Sequence, residues 1–313
     1  MDRRRFIASA AALGAMSAIG ARAPVYAGMR RARRVRYQKA LKIGMISGGE
    51  TLAEKFAIAS KAGFAGVELD SPSGLAADEV IDARNQTGMA VPGVVDSVHW
   101  AKPLNHPDEA VREEGLAGLE RAIRDCAAWT TPASVEDPDR TVLLVPAVVS
   151  ADMPYADARR LSIEGIATVL PLARKLGIKI AIENVWNGFL LSPLEAAAYV
   201  DELNDLAGAR TCGWYFDVGN IWRLGWPAHW IDALDDRIFR LDIKGYSRTK
   251  ADKEGRWAGF GVEIDEGDLD WGAVRTALMR IGYTGWATAE VRGGDLTRLE
   301  DISARMGRVL GTG

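Results

Sequence analysis

The sequence predicts an α/β fold in one domain, a (β/α)8 or TIM barrel. Three observations carry that expectation. Eight short apolar or β-branched runs alternate with segments of helical period across residues 41–313, the rhythm of a barrel in which each strand is followed by a helix. Four of the later runs finish on a carboxylate, at Glu183, Asp217, Asp242 and Glu290, and strand C-terminal ends are where α/β proteins place their chemistry. No glycine-rich phosphate turn follows the first strand, which argues against a doubly wound nucleotide-binding sheet.

Taken in order, residues 41–46 form the first expected strand and 51–62 its helix. Strand two spans 66–70, with a helix at 75–85; strand three spans 90–95, with a long helix at 107–129. Strand four, 141–145, is stopped by Pro146, which lacks the amide a ladder needs. The helix at 155–176 ends before Gly177, in the position a C-cap glycine takes. Strand five is the run from Lys179 to Asn184, apolar enough to be buried on both faces. Ser192-Pro193-Leu194-Glu195 opens the next helix, with Ser as N-cap and Pro in the first turn. Strand six ends at Asp217, a short helix covers 226–234, and strand seven spans 238–243. A long loop, 244–268, precedes a helix at 271–281; strand eight ends at Glu290 and a last helix closes near Leu310. No linker or shift in composition divides the chain.

At 313 residues and 48% hydrophobic content the chain can bury a large core. A net charge of −3 and a pI near 5.8 offer no basic surface for nucleic acid. Cys126 is expected in an outer helix and Cys212 at the start of a central strand, so a bridge between them is disfavoured and both read as apolar filler. Residues 1–27 read as an export signal. Arg3-Arg4 precede an Ala-rich apolar run that is short for a membrane span, and Val25-Tyr26-Ala27 offers a cleavage site. This predicts twin-arginine export to the periplasm and no membrane attachment after cleavage. Cleavage after Ala27 removes four basic residues and one acidic one, taking the net charge from −3 to −6. Residues 28–40 read as a basic lead-in to a barrel domain at 41–313.

In a barrel, the ends of strands five to eight share one half of the rim, so Glu183, Asp217, Asp242 and Glu290 are expected to converge. Four such carboxylates raise one another's pKa and call for a cation. All-oxygen ligands select a hard divalent ion, Mn²⁺ or Mg²⁺ before Zn²⁺. A glutamate shared between metal and proton suits general acid–base work. The bland alternative is four separate strand-end residues, each capping a helix or pairing with a base.

Ile182-Glu183-Asn184, Phe216-Asp217-Val218-Gly219-Asn220, Arg240-Leu241-Asp242-Ile243-Lys244, Gly282-Tyr283-Thr284-Gly285-Trp286 and Gly63-Phe64-Ala65-Gly66-Val67-Glu68 together resemble the sugar phosphate isomerase/epimerase superfamily of xylose isomerase-like TIM barrels, closest to its ketose 3-epimerase and hexulose-phosphate isomerase branch. The resemblance implies that Glu183 and Glu290 ligate Mn²⁺ and move the proton, with Asp217 as a further ligand. It also shows two departures: Asp242 stands where the family usually has His, and Asn220 where ketose epimerases carry a second His. Asp242 can ligate the same ion. Further substrate-facing candidates are His99 and Trp100 after strand three, Asn184, Trp186, Asn220, Lys244 and Arg248. Asn187 reads as a supporting donor and Glu68 as a rim support, while His106 and His229 are given no role.

The function expected is a divalent-metal isomerase or epimerase of a keto sugar working through an enediolate. Export and the lack of a phosphate cradle favour an unphosphorylated substrate. The alternatives are a lyase or dehydratase on the same site and a non-catalytic metal-stabilised sugar-binding protein. A hydrolase related to endonuclease IV needs many histidines, and the chain has three. The expected partner is a small sugar, with a homo-oligomer left open.

Overall fold

The structure, a computed structural model, describes residues 37–130 and 140–312. The expected signal at 1–27 and the lead-in up to residue 36 lie outside the described residues. Eight parallel strands close in sequence order into a barrel: β1 (Tyr37–Lys42), β2 (Gly66–Ser71), β3 (Gly93–Asp96), β4 (Arg140–Leu144), β5 (Ile178–Glu183), β6 (Cys212–Asp217), β7 (Ile238–Ile243) and β8 (Gly285–Ala289). Around them lie α1 (Leu52–Lys61), α2 (Ala77–Thr87), α3 (Glu109–Trp129), α4 (Tyr155–Leu176), α5 (Pro193–Ala207), α6 (Val218–Leu224), α7 (Pro227–Leu234), α8 (Arg248–Glu254), α9 (Trp271–Ile281) and α10 (Leu296–Leu310). The single-domain barrel expected from the sequence is the fold observed.

Helix ends follow the local chemistry. Thr51 and Glu54 form a reciprocal capping box on α1, and Ser192 accepts from Glu195 N at the start of α5. Gly177 ends α4 at φ 67°, a left-handed conformation open to glycine at no steric cost. The main apolar core lies largely between strands and helices. A smaller cluster of Leu143, Ala181, Tyr215 and Phe239 comes from β4 to β7.

The first strand differs from expectation. It starts at Tyr37, inside the stretch read as lead-in, and pairs with β8 from Tyr37↔Gly285 to Leu41↔Ala289. It then stops at Lys42 and turns into a 3-10 segment, Ile43–Met45. Closure explains this: without these residues the edge of β8 would stay unpaired, and Tyr37 stacks on Tyr283 with ring centroids 6.2 Å apart. Beyond the strands the two segments stay joined, since Ser47 N donates to Gly294 O and Gly294 N to Met45 O. A Cβ on Gly293 would lie 1.8 Å from Met45 O, so only glycine admits this approach. The long loop after β7 is also more ordered than expected, holding α8 and a 3-10 turn, Arg256–Phe260.

Candidate metal and active site

Adjacent strand ends bring the four carboxylates together. Glu183 is the last residue of β5 and Asp217 the last of β6. Asp242 sits opposite Asp217 in the β6–β7 ladder and opposite Thr288 in β7–β8. Glu290 follows β8 directly, its amide donating to Ile243 O at 3.2 Å. One ligand atom from each of the four lies within 4.8 Å of every other. Asp217 and Asp242 are fully buried and Glu183 nearly so.

Two lysines enter the cluster. Lys244, two residues past Asp242, pairs with Asp217 Oδ2 at 2.7 Å and with Glu290. Lys42, at the end of β1, bridges Glu68 at 3.2 Å and Asp242 at 3.1 Å, with Nζ 4.7 Å from the Tyr215 ring centre. Tyr215 donates to Glu68 at 2.6 Å. Five carboxylates and two ammonium groups therefore meet, an excess of three negative charges. Asp242 Oδ1 is buried with no hydrogen-bond partner among the described residues, a costly arrangement unless a further positive group satisfies it. Oxygen donors, their spacing and the residual charge all fit one hard divalent ion held by Glu183, Asp217, Asp242 and Glu290.

The protein groups alone drive these acids apart. Burial, then the charge of Glu290, pushes Glu183 well above the usual carboxylate range. Burial does the same to Asp242 against the pull of Lys42, and raises Asp217 to about 6 against Lys244. Burial works on Glu290 too, but Lys244 and Lys42 outweigh it and hold Glu290 at about 2. An ion must therefore displace protons from groups held above the usual range. Calorimetry of Mn²⁺ binding at pH 7 in buffers of different ionisation enthalpy should show proton release, and affinity should rise with pH between 5 and 7. Equal heats in all buffers would contradict this titration order.

Asn184 and Asn220 lock the ends of β5 and β6. Asn184 Oδ1 accepts from Asp217 N at 3.0 Å and Trp214 Nε1 at 2.9 Å, while its amide donates to Asp217 O at 2.8 Å. Asn220 donates its side-chain amide to Asn184 O at 2.9 Å, and Asp217 Oδ1 caps α6 through Asn220 N at 2.7 Å. The helix directly after β6 was not expected; this cap starts it. Asn184 is thus a scaffold residue, its amide spent on backbone and Trp214, rather than the substrate contact expected. Asn187 likewise donates to Ala147 O at 2.7 Å.

A cavity of about 1190 Å³ opens above the carboxylates, lined by Glu183, Glu290, Lys244, Asn220, Trp100 and Trp186 among the expected residues. Besides Asn184, two expected substrate contacts do not line it. His99 is buried behind the rim, accepting from Val145 N at 3.4 Å, and burial, with Lys42, holds it neutral at about 4. Arg248 turns away to the carbonyls of Trp222 and Gly225, its guanidinium 4.0 Å from the Trp222 ring centre. Those carbonyls lie at the end of α6, where a cation is favoured. The sequence reading missed Lys42, Trp257 and Phe260. Trp257 and Phe260 line the cavity and pack on Trp186 at centroid distances of 4.8 and 4.9 Å. The wall beside them is pinned to α10: Arg298 binds Glu263 at 2.8 Å, Arg308 binds Asp265 at 2.7 Å, and Arg305 also pairs with Asp265.

Comparisons with known proteins agree with this architecture. The profile of a family described as xylose isomerase-like TIM barrel matches residues 56–308. No curated protein matches the chain. Among solved structures, the apo 3-keto-D-glucoside 4-epimerase YcjR of E. coli superposes with a TM-score of 0.68 at 16% identity, covering 88% of this chain and 99% of that one. The D-allulose 3-epimerase of Methylomonas sp., in complex with D-allulose, gives 0.67 at 16%, covering 90% and 98%. An L-ribulose 3-epimerase gives 0.66 at 16%, covering 88% and 95%. At such identities the likeness speaks to the fold.

Proposed function

This chain belongs to the xylose isomerase-like TIM barrel family, and from that premise we propose that it is an isomerase or epimerase of an unphosphorylated keto sugar, dependent on a divalent metal ion. The observation that carries the reading is the four-carboxylate cluster, with Glu183 and Glu290 both opening onto one cavity. Support comes from structural neighbours that are epimerases of keto sugars and of a 3-keto-glucoside.

A Mn²⁺ or Mg²⁺ ion held by Glu183, Asp217, Asp242 and Glu290 would supply positive charge to the substrate oxygens as an enediolate forms. The protein groups divide the proton work. Glu290, kept ionised by Lys244 and Lys42, is the base that removes the proton from the carbon beside the carbonyl. The electron pair of that C–H bond becomes the carbon–carbon double bond and the carbonyl oxygen takes the charge. Glu183, which also opens onto the cavity, takes a proton from solvent and returns it to the same carbon from the other face, and the carbonyl re-forms. In the reverse direction the two exchange roles. Lys244 stays beside Glu290 throughout and stabilises its charge.

The metal reading is tested on purified protein lacking residues 1–27. About one Mn²⁺ or Mg²⁺ should bind per chain, and Asp217→Ala should abolish binding; tight Zn²⁺ binding that survives Asp217→Ala would put the site elsewhere. The reaction class is tested by following keto sugars by NMR with the loaded protein. An epimeric or isomeric product supports the proposal, whereas an unsaturated or shorter product makes the protein a lyase. The route of export is also a proposal, resting on Arg3-Arg4 and the Ala-rich run. Changing both arginines to Lys should keep the precursor in the cytoplasm, and periplasmic recovery of that variant would refute a twin-arginine signal.

A further inference from the structure

We propose that the sugar acted on carries a second ring, as in a glycoside of the keto sugar, and that this ring is held in the upper part of the cavity by Trp257 and Trp100. The inference rests on the keto-sugar reading and narrows it to a substrate class.

Size is the first argument. A single hexose has roughly a dozen non-hydrogen atoms, while cavities of about 300–1,000 Å³ hold considerably larger, drug-sized ligands. This cavity measures about 1190 Å³. One ring placed at Glu183 and Glu290 leaves the space above it unfilled.

The second argument is what lines that space. Three tryptophans are exposed among the described residues: Trp100 at 53%, Trp226 at 54% and Trp257 at 62%. Trp226 faces the Arg248 guanidinium at 4.6 Å, and the other two line the cavity. They approach from opposite sides. Trp100 follows β3 and Trp257 follows β7, strands four apart in either direction around the closed barrel. Indole surface left in water gains by stacking on a flat, partly apolar partner.

The same wall also carries Glu263 and Arg298. A purely apolar substituent would bury these groups without offering them hydrogen bonds, which is costly. A sugar ring offers both an apolar face and a rim of hydroxyls. The platform is built in advance: Trp257 rests on Trp186, whose indole nitrogen donates to Asn220 O at 3.0 Å, and Glu263 is held by Arg298. A wall fixed before binding loses little freedom when the ligand arrives.

The test compares 3-keto-glucose with 3-keto-cellobiose by calorimetry and by turnover, using the Mn²⁺-loaded protein. The disaccharide should bind at least tenfold more tightly. Trp257→Ala should remove most of that preference by weakening the disaccharide more than the monosaccharide, and Trp257→Phe, which keeps an aromatic face, should retain it. Equal affinity for the two sugars beside normal monosaccharide turnover would overturn the second-ring inference alone, as would a Trp257→Ala variant that weakens both sugars equally. If neither sugar binds, the keto-sugar reading fails and the inference with it.

Discussion

Glu183→Gln and Glu290→Gln are each expected to lower turnover by about a hundredfold or more, because each removes a group that accepts or delivers the proton while roughly keeping its shape. The two variants should not be equivalent. In D₂O the wild-type protein should place solvent deuterium on the inverted carbon, since the proton leaves on one carboxyl and returns from the other. Glu290→Gln should abolish both turnover and exchange from the starting sugar. Glu183→Gln should keep part of that exchange, because Glu290 can still open the enediolate and return deuterium to the face it came from. Reversing the direction of reaction should reverse the pattern. Full turnover in both variants, on a sugar shown to react, would remove the acid–base pair assigned here.

Lys42→Met is expected to destabilise the protein by about 3–5 kcal/mol at neutral pH, the effect of stripping one partner from a buried ion pair. Lys42 is 13% exposed, and its partners Glu68 and Asp242 are 1% and 0% exposed, so water does little to screen them. The sign of the pH dependence follows from Asp242. Its carboxyl is already held above the usual range and rises further once Lys42 is gone, so at acid pH it takes a proton and the unpaired charge disappears. The gap between wild type and variant in urea denaturation should therefore narrow from pH 8 to pH 5. A constant gap would mean that Lys42 matters through packing alone. An Asp242→Asn/Lys42→Met double variant should recover part of the loss, since it removes the charge of Asp242 together with that of Lys42 and leaves only Glu68 without its ammonium partner.

The barrel and its carboxylates were legible because both write themselves in local pattern. A buried strand reads as a short apolar run, and an acid at its end interrupts that run at a fixed place, as at Glu183 and Asp217. Lys42 was not legible for the same reason. Read as part of a strand at 41–46, it lies inside the run; the actual strand stops at Lys42, which makes it a strand-end residue like the others. The boundary depended on pairing with β8, some two hundred and fifty residues away in sequence. Arg248 failed differently. Its spacing after β7 is compatible with the cavity, but Trp222, Trp226 and the end of α6 compete for the guanidinium, and that competition exists only in three dimensions. Trp257 escaped because the stretch at 244–268 offers too little periodicity to show that it would be ordered into α8 and a 3-10 turn.

The seam between β1 and β8 has a consequence for the order in which the site comes into being. Lys42 belongs to the first strand and Glu290 follows the last, and the loops beyond them meet at Met45 and Gly294. A chain emerging from the ribosome carries Lys42 early and can pair β1 with β2 at once, yet the other edge of β1 has no partner until almost all of the sequence has been made. Glu183, Asp217 and Asp242 are synthesised before Glu290, so a growing chain holds three of the four acids without the closure that positions them. Capture of the proposed ion would thereby be tied to completion of the polypeptide: a truncated product ending before Gly285 would lack both the last strand and Glu290. For a protein proposed to cross the membrane already folded, that makes metal occupancy a mark of a finished barrel.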